Sequence, residues 1–506
     1  MSKNNSRTKN SINNIILTVI YQIISTIGSF VLRTIFIRTL AVEILGLNGL
    51  FSNILSVLSL AELGVGSAIN YSMYKPLKEN DEKKLAGLIT YYKRIYSVIG
   101  LVILAIGLII LPFLPLIINF ENEVEHVALY YVLYLLNSVS SYFIVYKTTI
   151  VKAAQKGYKL KLIDISFVLL RTVLQAIALI VYKNYIMYLI IQISLSILQN
   201  YVSSLKAVKM FPFIRNKEEI SKKEKKDIWD NIKSLFLYKI GGVALNNTDN
   251  IIISIIVSTI TVGLYSNYSM IVMSLSTFTS LIFTAITSSI GNYNVDSDAK
   301  HKKLIFDVLE MMSFWVYGFC SICLLILFKD FIFLWAGESF LLSNATTIII
   351  VLNYYITGVL YPIYCFRTTT NLFRSTKYVM FVATIINIIL SIILGKLFGL
   401  AGILIATAIS RIITNVWYEP YILFRDYFKS NVLKYYFKKI VEIVLLIGVY
   451  FVTLFVVKNI VISNKIIEFI IKGIVCTIVS NLAFLLLFSR REEFKFVIKR
   501  VFKVKS

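Results

Sequence analysis

Long apolar runs separated by short polar connections make up most of this chain. A membrane-crossing helix needs roughly 20 mainly apolar residues to cover about 30 Å of hydrocarbon. Fourteen runs fit that requirement, with approximate limits 12–33, 44–72, 95–119, 127–146, 163–182, 185–205, 235–258, 261–292, 311–328, 342–366, 378–394, 399–418, 440–457 and 466–489. The pattern predicts an all-α polytopic membrane protein with about 14 transmembrane helices. About eleven polar residues precede the first run and no small-residue cleavage site follows it, so it reads as a retained span and not as a removable signal peptide.

Composition sharpens the class. The 506 residues are 58% hydrophobic and 16% charged, against about 45–50% and about 25% in soluble domains, which excludes an ordinary soluble enzyme. Lys and Arg number 52 against 27 Asp and Glu, a formal charge of +25. In a soluble chain that excess would point to nucleic acid; here its placement decides otherwise. Forty-two of the basic residues fall at the termini and in one set of alternate connections and seven in the other, with Arg171, Arg411 and Lys472 inside spans. By the positive-inside rule this places both termini in the cytoplasm and makes the spans even in number. The charge then serves topology and attraction to anionic headgroups, with no nucleic-acid partner implied. Outer connections of no more than roughly 15 residues leave no room for an external catalytic domain. The cytoplasmic stretch from Lys206 to Lys239, containing Lys217 to Lys226, predicts a solvated amphipathic helix joining two halves. The expected organisation is a six-helix lobe over 1–207, a charged linker over 208–234, a second six-helix lobe over 235–430, and two further spans with a basic cytoplasmic tail over 431–506.

The two halves match at an offset of 217 positions. Gly46 falls on Gly263, Leu47 on Leu264, Ser52 on Ser269, Ile54 on Ile271, Leu58 on Leu275 and Ser59 on Ser276. The same offset sets Leu32 and Arg33 beside Asp249 and Asn250, so polar residues interrupt the first and seventh runs at equivalent places. Six spans separate the equivalents, which predicts a parallel repeat about an axis along the membrane normal. Arg33-Thr-Ile-Phe-Ile-Arg38-Thr-Leu-Ala-Val-Glu43-Ile-Leu-Gly46, Leu60-Ala-Glu62-Leu-Gly64-Val-Gly66, Asn246-Asn-Thr-Asp249-Asn and Gly263-Leu-Tyr265-Ser-Asn-Tyr268 carry a resemblance. The chain resembles the polysaccharide-transporter branch of the multidrug/oligosaccharidyl-lipid/polysaccharide (MOP) exporter superfamily, the lipid-linked oligosaccharide or O-antigen flippases. Ala41 departs from the pattern, standing where relatives often carry glycine. The resemblance implies two six-helix lobes related by a pseudo-two-fold around a central cavity that opens alternately inward and outward, plus two extra C-terminal helices. It also implies a bacterial plasma-membrane location, an undecaprenyl-pyrophosphate-linked glycan as substrate, and a polysaccharide polymerase and glycosyltransferases as partners.

Such a substrate needs a wet cationic path, because a charge at the bilayer centre costs several kcal/mol or more. Arg33, Arg38, Arg171 and Arg411 are therefore the candidate substrate-binding residues; the planar guanidinium fork suits pyrophosphate oxygens. Arg171 lies some eight residues into its run, about 12 Å deep at ~1.5 Å per residue, and Arg411 about 18 Å into its own. Glu62, flanked by Leu60, Ala61, Leu63 and Gly64, and Asp249, with Asn246 and Asn250, are candidates for ion coupling or for lining the cavity. The competing readings are snorkelling for Arg33 and Arg38 and structural ion pairs for the others. Tyr265 and Tyr268 are more simply interface-belt residues than glycan contacts, and Pro362 is expected to kink its helix.

Several chemistries drop out. Cys320, Cys323, Cys365 and Cys476 all lie in apolar runs, and His126 and His301 are far apart, so no metal or cofactor is expected. Gly395-Lys396 lacks the rest of a phosphate-binding loop, which argues against direct ATP drive. A multidrug exporter of the same superfamily would favour an acidic pocket over Arg33, Arg171 and Arg411. A membrane polymerase or ligase would need paired outer carboxylates, which the short outer connections do not supply.

Overall fold

The computed structural model describes residues 3–62, 64–120, 124–296, 299–369, 376 and 378–501. Among these the regular structure is helical throughout, with no strand. Among the described residues, each of the fourteen apolar runs falls mainly on helix. Nine helices among the described residues, taking 379–428 as one, are individually long and apolar enough to cross a bilayer. The pair Val127–Tyr142 and Val145–Ala153, bent by 42°, makes a tenth if it is one span. Large apolar side chains such as Leu116, Val181, Phe451 and Leu486 stay exposed along these helices, as a lipid-facing surface requires. The molecule is a multi-pass membrane protein.

The chain divides into two compact units, Met1–Gly263 and Leu264–Ser506. In the first, the helix Lys3–Thr39 packs along Tyr158–Val181, which packs in turn on Tyr185–Met210. The straight helix expected over 44–72 does not form. Val42–Leu58 is followed by a 3-10 turn, Ser59–Glu62, and the helix Val65–Glu79 starts only after Gly64, at φ +89°. That left-handed conformation is open to glycine at little cost and closed to most residues. Polarity interrupts the first span in composition only, since Lys3–Thr39 runs unbroken through Arg33; the seventh breaks at Thr248, between Lys222–Asn247 and Asp249–Ile256.

The charged segment ahead of this break is docked. Ser221 and Glu224 form a reciprocal cap: Ser221 Oγ accepts from Glu224 N (3.2 Å) and Glu224 Oε2 from Ser221 N (3.0 Å). Ile220 is buried against Gly87, Arg94 pairs with Glu219 at 2.6 Å, and Lys84 pairs with Glu224.

In the second unit, Ala299–Trp335 packs between Asn344–Thr369 and the pair Leu433–Val457 and Lys465–Phe488, around Met311, Phe314, Ile322, Val449, Phe484 and Phe488. Asn344–Thr369 passes through Pro362 without a break in the helix. The runs 378–394 and 399–418 meet at Gly399 (φ +59°, ψ −137°), where Gly402 lies so close to the Leu394 carbonyl that any side chain would collide with it. Beyond Arg411 the helix widens to π geometry over Ile412–Val416 and again over Leu423–Phe428, so this span extends past its expected limit.

Candidate functional site

Among the described residues, two polar clusters in the first unit and one in the second hold the charged candidates that the sequence marks. The first forms where Lys3–Thr39, Tyr158–Val181 and Tyr185–Met210 meet. Arg33, half-buried, lies within electrostatic reach of the Tyr188, Tyr134 and Tyr185 phenols, and Arg171, also half-buried, within reach of Tyr188 and Tyr21. Tyr188 thus lies within electrostatic reach of two cations contributed by different helices. Around it, Tyr185 stacks on Tyr188 at 5.8 Å and shares a hydrogen bond with Tyr134 (3.0 Å), and Phe36 meets both Tyr185 and Tyr188 edge-on.

Arg171 has no carboxylate within ion-pair distance among the described residues. Its Nη2 donates to Gln199 Oε1 at 3.0 Å, Gln199 Nε2 donates to Asp164 Oδ1 at 2.9 Å, and Asp164 Oδ2 pairs with Lys161 at 3.2 Å. Lys161 thereby neutralises Asp164, and an amide is all that links Arg171 to that carboxylate. The Nε of Arg171 is buried and makes no hydrogen bond among the described residues. A buried donor without an acceptor is costly, which favours an anion or water at this place. Gln175, fully buried, donates to the Tyr188 carbonyl at 3.2 Å and continues the polar track. Arg38 lies in the same helix as Arg33 but is exposed near its end, which suits a headgroup contact.

The second cluster surrounds Glu62. Its carboxylate lies within hydrogen-bonding reach of the Tyr142 hydroxyl and in the electrostatic field of Tyr96 and Tyr92. Tyr142 also donates to Ser59 Oγ at 3.4 Å, and the Tyr92 and Tyr96 rings meet at 4.3 Å. Glu62 ends the 3-10 turn that breaks one span and Tyr142 ends the helix at which another bends, so two discontinuities coincide at one carboxylate. Discontinuous helices are where transporters expose backbone groups to ions and substrates. Asp249 opens the helix after the Thr248 break and is half-buried; its neighbour Asn250 is buried, with Oδ1 unpartnered among the described residues. The side chain of Asn246 lies outside the described residues.

In the second unit, Arg411 donates to Thr357 Oγ1 at 3.0 Å. On the same face, Asn415 donates to Glu419 Oε1 at 2.9 Å, and Glu419 forms a buried ion pair with Arg367. The guanidinium of Arg367 also lies 5.3 Å from the Tyr364 ring centre. Tyr268 is fully buried, with its hydroxyl accepting from Leu342 N at 3.0 Å, a packing role.

A family model described as polysaccharide biosynthesis protein matches residues 11–287, more than half of the chain. The chain belongs to the polysaccharide biosynthesis protein family. Solved structures extend the likeness to the whole fold. The lipid II flippase MurJ, in an inward closed conformation, superposes with a TM-score of 0.68 at 18% identity, covering 94% of this chain and 98% of that one. An inward-facing multidrug resistance MATE family transporter of the MOP superfamily gives 0.61 at 13% identity, over 81% and 98%. A MOP superfamily transporter from Pyrococcus furiosus gives 0.53 at 13%, over 84% and 97%. No curated protein matches the chain in sequence. The fold is that of the MOP transporters.

Within this family member, the matched stretch contains Arg33, Arg38, Glu62, Arg171, Asp249 and Asn250 but ends before Arg411. Sequence reasoning missed Tyr188, Tyr134, Tyr185, Gln175 and Gln199, which carry no formal charge to mark them. It also missed Arg367 and Glu419, each placed one residue beyond an assigned span limit and so read as a connection charge. Glu419 follows Arg411 by eight positions, a helical repeat that was the available signal.

Proposed function

We propose that this protein moves undecaprenyl-pyrophosphate-linked oligosaccharide repeat units from the inner to the outer leaflet of a bacterial plasma membrane by alternating access, for surface polysaccharide synthesis. The single observation that carries this reading is that Arg33 and Arg171 both lie within electrostatic reach of Tyr188, with Arg171 linked to a carboxylate only through Gln199 and, among the described residues, its buried Nε open. Two guanidinium groups match the charge of a pyrophosphate, and each presents a planar donor fork to its oxygens. The surrounding tyrosines offer hydroxyl groups and ring faces to the first sugars. Family membership and a fold shared with a lipid II flippase support the same cargo class. In this reading Arg33 and Arg171 hold the pyrophosphate, Arg38 and Arg411 guide it at other stages, and Glu62, Asp249, Asn246 and Asn250 serve ion coupling or line the path. Both termini lie in the cytoplasm, where glycosyltransferases build the cargo; a polymerase takes it up outside.

The test is the leaflet distribution of lipid-linked repeat units in cells depleted of the protein, read with an impermeant glycan-labelling reagent on spheroplasts. Labelled glycolipid should vanish from the outer face while total glycolipid accumulates. Unchanged or increased outer labelling overturns the proposal and favours the exporter or polymerase reading.

A further inference from the structure

The second unit carries a charged cleft that the transport reading leaves unused. Two adjoining cavities, of about 430 and 810 Å³, share Lys303, Asp307, Arg491 and Glu493. They open where Ala299–Trp335, Leu433–Val457 and the terminal helix Glu492–Val501 come together, on the face that the charge bias assigns to the cytoplasm.

The charges in and under the cleft divide into two groups. Lys303 pairs with Asp307 at 2.9 Å and lies 4.7 Å from the Phe306 and Phe424 ring centres. Lys439 is held by Glu442 at 2.8 Å and Glu310 at 3.1 Å, and Lys438 lies between Asp307 and Glu310, 3.8 Å from each. These three lysines are matched by three carboxylates. Lys300, Lys434, Arg490 and Arg491 make no ion pair among the described residues, and only Glu492 and Glu493 oppose them in the cleft. A surplus of positive charge therefore lines an open cavity.

Its setting is a bilayer surface. Lys434 alternates on one helix with Leu433 and Phe437, which are 67% and 69% exposed. The terminal helix is pinned from inside by Phe494, stacked on Trp315 at 5.9 Å and 9°. Cations beside strongly exposed apolar side chains mark headgroup depth, where a phosphate and an acyl chain are met together.

We propose that this cleft binds the phosphate of an anionic phospholipid, held by Lys434, Arg490 and Arg491, with its acyl chains lying on Leu433 and Phe437. The site stands apart from the Arg33 and Arg171 cluster and does not depend on what the protein transports. Its ligand chemistry, a phosphate diester, could also come from a soluble molecule, and the exposed apolar residues favour the lipid.

The test is native mass spectrometry of the full-length protein released from nanodiscs of phosphatidylglycerol or of phosphatidylcholine. Phosphatidylglycerol should be retained preferentially. The double variant Lys434→Gln/Arg490→Gln, at two exposed positions, should retain at least five-fold less, and Lys434→Arg/Arg490→Lys should restore it. Lys75→Gln/Lys78→Gln, on the first unit, should retain as much as the unmodified protein. Millimolar glycerophosphoglycerol or inorganic phosphate should displace none. Equal retention in the Lys434→Gln/Arg490→Gln variant overturns the site, as does an equal loss in the Lys75→Gln/Lys78→Gln control. Displacement by the chain-free phosphates overturns the lipid as its occupant.

Discussion

Gly46 and Gly263 meet backbone to backbone: a Cβ built on Gly263 would lie 2.9 Å from the Gly46 nitrogen, and one built on Gly46 would overlap the Thr259 carbonyl oxygen. These glycines are equivalents at the 217-residue offset, and both lie in the first unit, Met1–Gly263. The contact is reinforced where Asn119 N donates to Thr259 Oγ1 (2.9 Å) and Thr259 N to the Asn119 carbonyl (3.0 Å). Backbone cannot swing aside as a side chain can. Gly46→Ala should therefore destabilise by about 1–3 kcal/mol, the range for overpacking, and Gly263→Ala by a similar amount. Gly448, whose Cβ position meets no other part of the described residues within 4 Å beyond its own helix backbone, should accept alanine with no loss. Thermal unfolding in detergent separates these outcomes.

Arg171 supplies the next prediction. Arg171→Ala should lower appearance of labelled repeat units at the outer face at least ten-fold, because the deep guanidinium is balanced only through an amide. Lysine should not restore it, being unable to present two parallel donors. Gln199→Leu should lower transport less than Arg171→Ala, since it misplaces the guanidinium without removing it. If Arg171→Ala transports normally at unchanged protein level, the arginine is structural.

Glu62 sits where two helix breaks coincide, with the Tyr142 hydroxyl within hydrogen-bonding reach. A coupling carboxylate must exchange a proton or cation during the cycle. Glu62→Gln keeps shape and hydrogen-bonding capacity while removing that exchange, so it should abolish stimulation of transport by an imposed ion gradient and leave slow exchange running down the substrate gradient. Tyr142→Phe should shift the pH at which stimulation is half-maximal. Reconstituted vesicles with imposed proton or sodium gradients provide the readout.

Much of the fold was legible because its dominant signal, long apolar runs with a one-sided basic bias, is written in residue type alone. Among the described residues the apolar runs fall mainly on helix, and Arg171 and Arg411 stood out as charges placed deep within their runs. The breaks were less visible. Gly64 ends a helix through a backbone angle, and Glu62 read as a lone carboxylate because Tyr142, Tyr96 and Tyr92 come from other spans. Neutral polar residues were missed for a related reason: Gln175 and Gln199 matter through partners on a facing helix, and no local pattern encodes that pairing. Arg367 and Glu419 were lost to span limits drawn one residue short.

The docked linker predicts a defined pH response. Hydrogen bonding and charge from Arg94, followed by those from Lys225, hold the Glu219 carboxyl below its usual range. A depressed carboxylate contributes stability above its unfolded value, near about 4.3, and loses it as pH falls through the lower folded value. Docking should therefore be flat from pH 8 to about 5 and weaken only in acid below the usual carboxylate range. Amide exchange over residues 216–221, corrected for intrinsic rate, should follow that course, and Glu219→Gln should raise it a few-fold at pH 7.

The Arg367 and Glu419 pair tests how the second unit is held together. Arg367 is 6% and Glu419 4% exposed, so removing one partner leaves a charge in a poorly solvating interior. Arg367→Met or Glu419→Met alone should cost about 3–5 kcal/mol of stability. The double variant removes both charges together and should recover most of that loss, because a buried ion pair and a well-packed apolar pair are often nearly equivalent. Asn415, which donates to Glu419, then keeps only the weak thioether acceptor Met380 Sδ at 3.1 Å, so recovery should stay incomplete by about 1–3 kcal/mol unless Asn415→Leu is added. Unfolding midpoints of the four proteins form a double-mutant cycle. A double variant no more stable than either single would place the loss in packing around Tyr364 and not in charge.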